Sequence, residues 1–146
     1  MDAASTCGLG IFFPGLDLGF QCAHSDLPTD SHINFLELLA VACAVHICTL
    51  MEHVPHRLAV FSDSSFAVDI FSTLRARPPF NSVDMLSVDV LISYGIDLRV
   101  AHLAGANNHV ADALSRFKND KACALMPNLT IFLFTPPQDA LGAKLQ

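Results

Sequence analysis

The sequence HLAGANNHVADALSR, residues 102–116, joins the end of an apolar strand to the start of a helix through a short polar loop. The strand is predicted over residues 96–102 and closes with His102. The helix is predicted to begin near Asn108, which puts Asp112 one turn inside it. The imidazole of His102 and the carboxylate of Asp112 are therefore expected to lie near each other at one opening on the surface of the domain.

The composition indicates one folded domain that belongs to a larger assembly. With 146 residues, the chain is long enough to bury a core without disulfides or metal staples. It is 52% apolar, and its 15% of charged residues is well below the roughly 25% of an average soluble domain. The formal net charge of −6 argues against a free-standing nucleic-acid binder. Basic residues nevertheless flank the 102–116 stretch and precede a Pro-Pro break, namely Arg99, Arg116, Lys118, Lys121, Arg75 and Arg77.

Five cysteines without framework spacing, and no cleavable signal sequence, indicate reduced thiols in an intracellular protein of the cytoplasm or nucleus. Cys43, His46 and Cys48 invite comparison with a zinc site, but two well-spaced ligand pairs are absent, so core packing is the favoured interpretation. The most hydrophobic run, residues 35–51, is short for a membrane span and contains Glu37. A buried helix is therefore predicted, and no membrane partner.

The element pattern predicts an α/β fold with a mixed five-stranded sheet: antiparallel hairpin strands come first, parallel strands follow, and helices cover both faces. Strands are predicted at residues 8–13, 18–22, 57–61 and 96–102, with a further strand around Asp2, and helices at 34–50, 66–75, 83–94 and 108–118. Residues 1–118 form the predicted domain. Residues 119–146 are a tail or linker, although their apolar run 129–134 also fits an extra strand.

Four acidic residues stand at the boundaries of these elements: Asp2 in the first strand, Glu37 in the first turn of the long helix, Asp63 after the 57–61 strand, and Asp112 in the last helix. Carboxylates next to apolar segments are costly unless they are paired or bound to metal. If they converge, two hard divalent cations would neutralise them, with Mg²⁺ the first candidate and Mn²⁺ a substitute. Taken singly, Glu37 also fits a capping-box acid, with Asn34 as the N-cap of its helix.

Four local sequences resemble the motifs of type 1 ribonuclease H domains, most closely those fused to retrotransposon reverse transcriptases. They are MDAAS at 1–5, INFLELLA at 33–40, FSDSS at 61–65 and ADALSR at 111–116. The resemblance covers residues 2–118 and implies that the α/β fold is ribonuclease H-like. It implies an endonuclease that hydrolyses the RNA strand of RNA/DNA hybrids with two metal ions, working beside the polymerase domain of a longer polyprotein.

Carried over residue by residue, the resemblance implies metal-binding and catalytic roles for Asp2, Glu37, Asp63 and Asp112. It further implies a place for His102 in a mobile loop, where it shuttles protons or helps the product to leave. Substrate binding is implied for Ser5, for Ser65 and for Asn108, the asparagine that caps the last helix, because short polar side chains can reach the 2′-hydroxyls of an A-form-like hybrid.

Two alternative hypotheses about function remain open. The strand around Asp2 is expected to lack residues before it, which leaves the first ligand on a poorly anchored end and favours a catalytically inactive remnant that serves as a structural or interaction module. A nuclease or integrase-like enzyme that acts on DNA is the other alternative, and the presence of His102 and Asn108 makes it less favoured.

Overall fold

The computed structural model describes residues 1–4, 6–28 and 31–137 as an α/β fold with antiparallel and parallel strands and with helices. Its strands and helices, in chain order, are β1 (Asp2–Ala4), β2 (Gly8–Phe13), β3 (Leu18–Ala23), α1 (Ile33–Thr49), β4 (Arg57–Ser62), α2 (Ser65–Thr73), α3 (Asn81–Tyr94), β5 (Asp97–His102), α4 (His109–Ser115), α5 (Asn119–Leu125) and β6 (Thr130–Leu133). Short 3-10 turns span His24–Asp26 and Gly105–Asn107.

Helix α1 is the centre of the core because it is apolar around most of its circumference. Its residues from Leu36 to Val45 are all buried. The N-cap is His32, whose Nδ1 accepts a hydrogen bond from the backbone N–H of Asn34 at 3.2 Å. The prediction of Asn34 as N-cap was therefore wrong, and Glu37 lies too far into the helix to be a capping-box acid.

The strands form two hydrogen-bonded sheets, so the prediction of one five-stranded sheet was wrong. The larger sheet has the order β1-β2-β3-β6, in which β3 and β6 are parallel and the other neighbours antiparallel. The smaller sheet pairs β4 with β5 in parallel. The amino nitrogen of Met1 joins the two sheets by donating to the carbonyl oxygen of Phe61 at 3.0 Å.

Helices cover both faces of the larger sheet, as predicted. On strand β2, Leu9 and Ile11 point into the main core, which includes most of α1. Phe12 points to the opposite side and packs on Leu114 of α4 in a second, smaller core. Because successive side chains of a strand alternate between faces, one strand supports both layers.

The C-terminal part of the described chain differs from the single helix predicted over residues 108–118. Helix α4 stops at Ser115 and α5 starts at Asn119, because Phe117 between them takes a left-handed conformation with φ 57°. Residues Thr130–Leu133 then add β6 to the edge of β3, which confirms the alternative of an extra strand there. Among the described residues, no helix combines the length and hydropathy that crossing a membrane requires.

We predict that Gly10→Ala destabilises the protein, because Gly10 lets α4 lie directly on β2. A Cβ atom there would overlap the carbonyl oxygen of Ala111 and come within 2.5 Å of the backbone nitrogen of Ser115. Overpacking of this kind costs about 1–3 kcal/mol, and backbone atoms yield less than side chains. Urea unfolding measures the loss. Gly15→Ala is the matched control, since no atom lies within 4 Å of its Cβ position, and an equal effect of both variants would contradict the prediction.

Candidate metal centre

Three of the four predicted carboxylates converge at one place. Asp2 comes from β1, Glu37 from the second turn of α1, and Asp63 directly follows β4. One carboxylate oxygen of each lies within 4.8 Å of those of the other two. Among the described residues, this is the group of acidic, histidine and cysteine side chains that could hold a metal ion.

Glu37 is buried in this group, with only 6% of its surface exposed. Its Oε1 accepts a hydrogen bond from the backbone N–H of Ala3 at 3.3 Å. Its Oε2 is buried and makes no hydrogen bond within the described part of the chain. Burial, together with the charges of Asp2 and Asp63, raises the pKa of Glu37 to about 8. A buried, unpaired carboxylate oxygen facing two other acids is in the position of a ligand for a cation.

Asp2 is buried as well, and a residue of α4 supports it. The Oγ of Ser115 donates to Oδ2 of Asp2 at 2.6 Å. Burial raises the pKa of Asp2, the Ser115 hydrogen bond lowers it, and the charges of Asp63 and Asp112 raise it further. Ser115 therefore stabilises the charged form of a carboxylate that its surroundings disfavour.

Asp112, the fourth predicted ligand, is not part of the group. Its Oδ1 accepts from Nε of Arg116 at 2.8 Å, one turn further along α4. It remains close enough for its charge to act on the pKa of Asp2. Two neighbouring residues at the end of α4 thus stabilise two carboxylates. Ser115 donates a hydrogen bond to Asp2, and Arg116 forms an ion pair with Asp112.

The predicted helper residues lie around the three carboxylates in different ways. His102 is the last residue of β5 and not part of a loop, which corrects the expectation carried over from the resemblance. Its Nε2 lies 3.2 Å from the backbone oxygen of Asp63. Ser65 is exposed at the start of α2. Ser5 lies outside the described residues.

Asn108 does precede α4, but its side chain makes no capping hydrogen bond there. Instead it is buried, and its Nδ2 donates to the carbonyl oxygen of Met1 at 2.8 Å. This contact fixes the start of β1, and with it Asp2, to the start of α4. Asn108 therefore helps to position the first carboxylate of the site.

Two supporting residues went unrecognised in the sequence. Ser115 lies three residues after Asp112 in the ADALSR motif, and helical spacing puts both side chains near one face. Gly105 lies so close to Asp63 that a Cβ there would be 3.2 Å from Oδ2 of that residue. Its place between His102 and Asn108 was the available signal, because a glycine allows the backbone to approach a functional group closely.

The donor set favours a hard divalent cation. Carboxylate oxygens are the ligands of Mg²⁺, Mn²⁺ and Ca²⁺, whereas zinc sites use cysteine and histidine. The alternative zinc cluster is resolved in favour of core packing, because the thiols of Cys43 and Cys48 are buried in the hydrophobic interior. The three acids could thus hold Mg²⁺ or Mn²⁺, and the orphaned Oε2 of Glu37 fits that group.

We predict that the metal-free protein loses stability as the pH rises, and that Glu37→Gln reduces this loss. The pKa of Glu37 is about 8 in the folded protein and 4.5 ordinarily, so the folded state binds the proton more tightly than the unfolded chain does. This stabilisation is fully present below pH 4.5 and disappears as the pH passes through about 8.

Urea unfolding in the presence of a chelator, from about pH 5 to about pH 9, tests this linkage. Glu52→Gln, at an exposed acid outside the group, should keep the pH dependence of the parent protein. A Glu37→Gln protein whose free energy of unfolding falls as steeply with pH as that of the parent would contradict the assignment.

We predict that Ser115→Ala destabilises the protein by about 1–3 kcal/mol, because a buried carboxylate loses its donor. The pKa of Asp2 should rise further, so binding of Mn²⁺ should require a higher pH. Chemical unfolding and metal titration at several pH values measure the two effects. Ser65→Ala removes the same hydroxyl from an exposed position and should change neither quantity. If both variants behave alike, the Ser115–Asp2 hydrogen bond does not support the site.

Comparisons with known proteins place no further constraint on the site. Searches against protein-family models, curated proteins and solved structures found no match to this chain.

Proposed function

We propose that the chain is a ribonuclease H-type domain of a retroelement reverse transcriptase, which hydrolyses the RNA strand of RNA/DNA hybrids with divalent cations. The observation that carries the proposal is the meeting of Asp2, Glu37 and Asp63, with the Oε2 of Glu37 buried and unpaired. Such a group disfavours its own charged state and favours a bound cation.

The placement of these acids on the fold supports the same assignment. Asp2 comes from β1 at the edge of the larger sheet, Glu37 from helix α1, and Asp63 from the position directly after β4 of the smaller sheet. This is the chain order in which the resemblance puts its ligands. The mixed antiparallel and parallel pairing and the helices on both faces are consistent with a ribonuclease H-like fold.

In this proposal Asp2, Glu37 and Asp63 hold the cation. When bound, divalent cations at such a site neutralise the carboxylates and provide Lewis-acid activation of a phosphodiester and a water. The resemblance implies that a second ion would be held by Asp112, whose Oδ1 is paired with Arg116 in this structure. In the same proposal, His102 accepts or delivers a proton at the edge of the group; the proximity of its Nε2 to the backbone oxygen of Asp63 supports this role.

Substrate binding in this proposal depends on polar and basic residues around the site, and on a partner. Ser65 is exposed two residues after Asp63 and can reach a sugar hydroxyl. With a net charge of −6, the chain has few cations to offer to phosphates. We therefore propose that the polymerase domain of the same polyprotein provides much of the affinity for the hybrid.

A second candidate function is an inactive domain of the same ancestry that serves as a structural or interaction module. The observation in its favour is the engagement of Asp112 by Arg116, because it leaves three carboxylates where a pair of cations would use four. This candidate predicts a folded protein that binds one cation and cuts nothing.

Incubation of the purified protein with an RNA/DNA hybrid labelled on its RNA strand, in Mg²⁺ or Mn²⁺, tests the proposal. We expect cleavage of the RNA strand, and we expect Asp63→Asn to reduce its rate by about 100-fold or more, since even outer-shell partners of a metal contribute about 10–100-fold. Asp97→Asn removes an exposed carboxylate outside the group and should cleave at the rate of the parent protein.

Calorimetric titration with Mn²⁺ separates the candidates. Metal binding without cleavage supports the inactive module. A protein that neither binds metal nor cleaves the hybrid would contradict both proposed functions. Faster cleavage of duplex DNA than of the hybrid would reject the proposed substrate. Full activity of Asp63→Asn would show that the cleavage does not arise at the three carboxylates.

A further inference from the structure

The turn between β5 and α4 lies against the Asp63 side of the candidate metal centre, and Gly105 faces the carboxylate there. A Cβ atom at Gly105 would lie 3.2 Å from Oδ2 of Asp63 and 4.0 Å from its Cβ. We propose that Gly105 is a positioning residue, whose backbone fixes the orientation of the Asp63 carboxylate for a divalent cation. This role rests on the cation site of the proposed function and not on its substrate.

The three carboxylates of the centre are held in two different ways. One oxygen of Asp2 and one oxygen of Glu37 each accept a hydrogen bond. Within the described part of the chain, no hydrogen bond or ion pair reaches the carboxylate of Asp63, and His102 contacts only its backbone oxygen. Both carboxylate oxygens of Asp63 are therefore left for a cation, and their orientation depends on what packs against them.

The turn that carries Gly105 is fixed on both sides. Before it, the backbone N–H of Leu103 donates to the carbonyl oxygen of Ser62 at 2.8 Å. After it, the backbone N–H of the buried Asn108 donates to the carbonyl oxygen of Gly105 at 3.1 Å. Because Ser62 directly precedes Asp63, the backbone holds the turn and the aspartate against each other. A side chain added at position 105 would therefore displace the carboxylate of Asp63 and not the turn.

The glycine matters for its lack of a side chain and not for its backbone freedom. Gly105 lies in an exposed 3-10 turn, outside the left-handed region, so alanine fits its backbone conformation. Gly105→Ala also changes no charge and removes no hydrogen-bonding group. Its effect on a cation would come from geometry alone, and metal ligands must be held within about half an ångström of their productive positions.

Calorimetric titration with Mn²⁺ at constant pH, without nucleic acid, tests this role. We expect Gly105→Ala to bind Mn²⁺ about 10- to 100-fold more weakly than the parent protein, the loss typical of residues that support metal ligands. Its urea unfolding midpoint in a chelator should not fall. Ala106→Ser adds one atom at the next exposed residue of the same turn and should leave both quantities unchanged.

A second measurement uses the parent protein and needs no variant. If Gly105 holds Asp63, a cation bound to that carboxylate should stiffen the turn, and Mg²⁺ should slow hydrogen exchange of the Asn108 amide, which donates to Gly105. The Ala122 amide, which donates to Lys118 in α5, should exchange at the same rate with and without Mg²⁺.

Equal Mn²⁺ affinity of Gly105→Ala and the parent protein would overturn the role of Gly105 and leave the proposed function standing. A lower unfolding midpoint of Gly105→Ala in the chelator would also overturn it, because the turn would then support the fold as a whole. Unchanged exchange of the Asn108 amide in Mg²⁺ would do the same. A parent protein that binds no Mn²⁺ would overturn both this role and the proposed function.

Discussion

The constraint on which the rest of the structure depends is the burial of two neighbouring carboxylates, Asp2 and Glu37, between a strand and the central helix. Removing a charged carboxylate from water carries a penalty of several kcal/mol, which few hydrogen bonds recover. Ser115 and the backbone of Ala3 each offset part of it. The remainder is relieved by a proton or by a cation, so occupation of the site by either is coupled to folding.

This constraint explains why α4 lies where it does. Its hydroxyl donor must reach Asp2, and its backbone can approach β2 so closely only because Gly10 has no side chain. At the same helix start, Asn108 holds the carbonyl of Met1.

Much of this architecture could be predicted from local sequence, since apolar runs and turn residues determine where most strands and helices fall. The convergence of Asp2, Glu37 and Asp63 followed from their places at element boundaries. The ion pair between Asp112 and Arg116 could also have been predicted from the sequence, because an acid four residues before an arginine on a helix commonly forms an ion pair with it. The division of the strands into two sheets could not be predicted from the sequence, because it depends on contacts between β1 and β4, which are far apart in sequence. Nor did the sequence indicate that Phe117 would take a left-handed conformation and end α4.

The pairing of β6 with β3 has a consequence for the order of events during synthesis. Leu18 lies opposite Thr130, and Asp2 receives its hydrogen bond from Ser115, so both contacts join residues that are far apart in sequence. Contacts between distant residues slow folding, because a long loop must close before they can form. On the ribosome, the larger sheet could not be completed until its last strand had emerged. The first carboxylate of the site would lack its donor until Ser115 had been made.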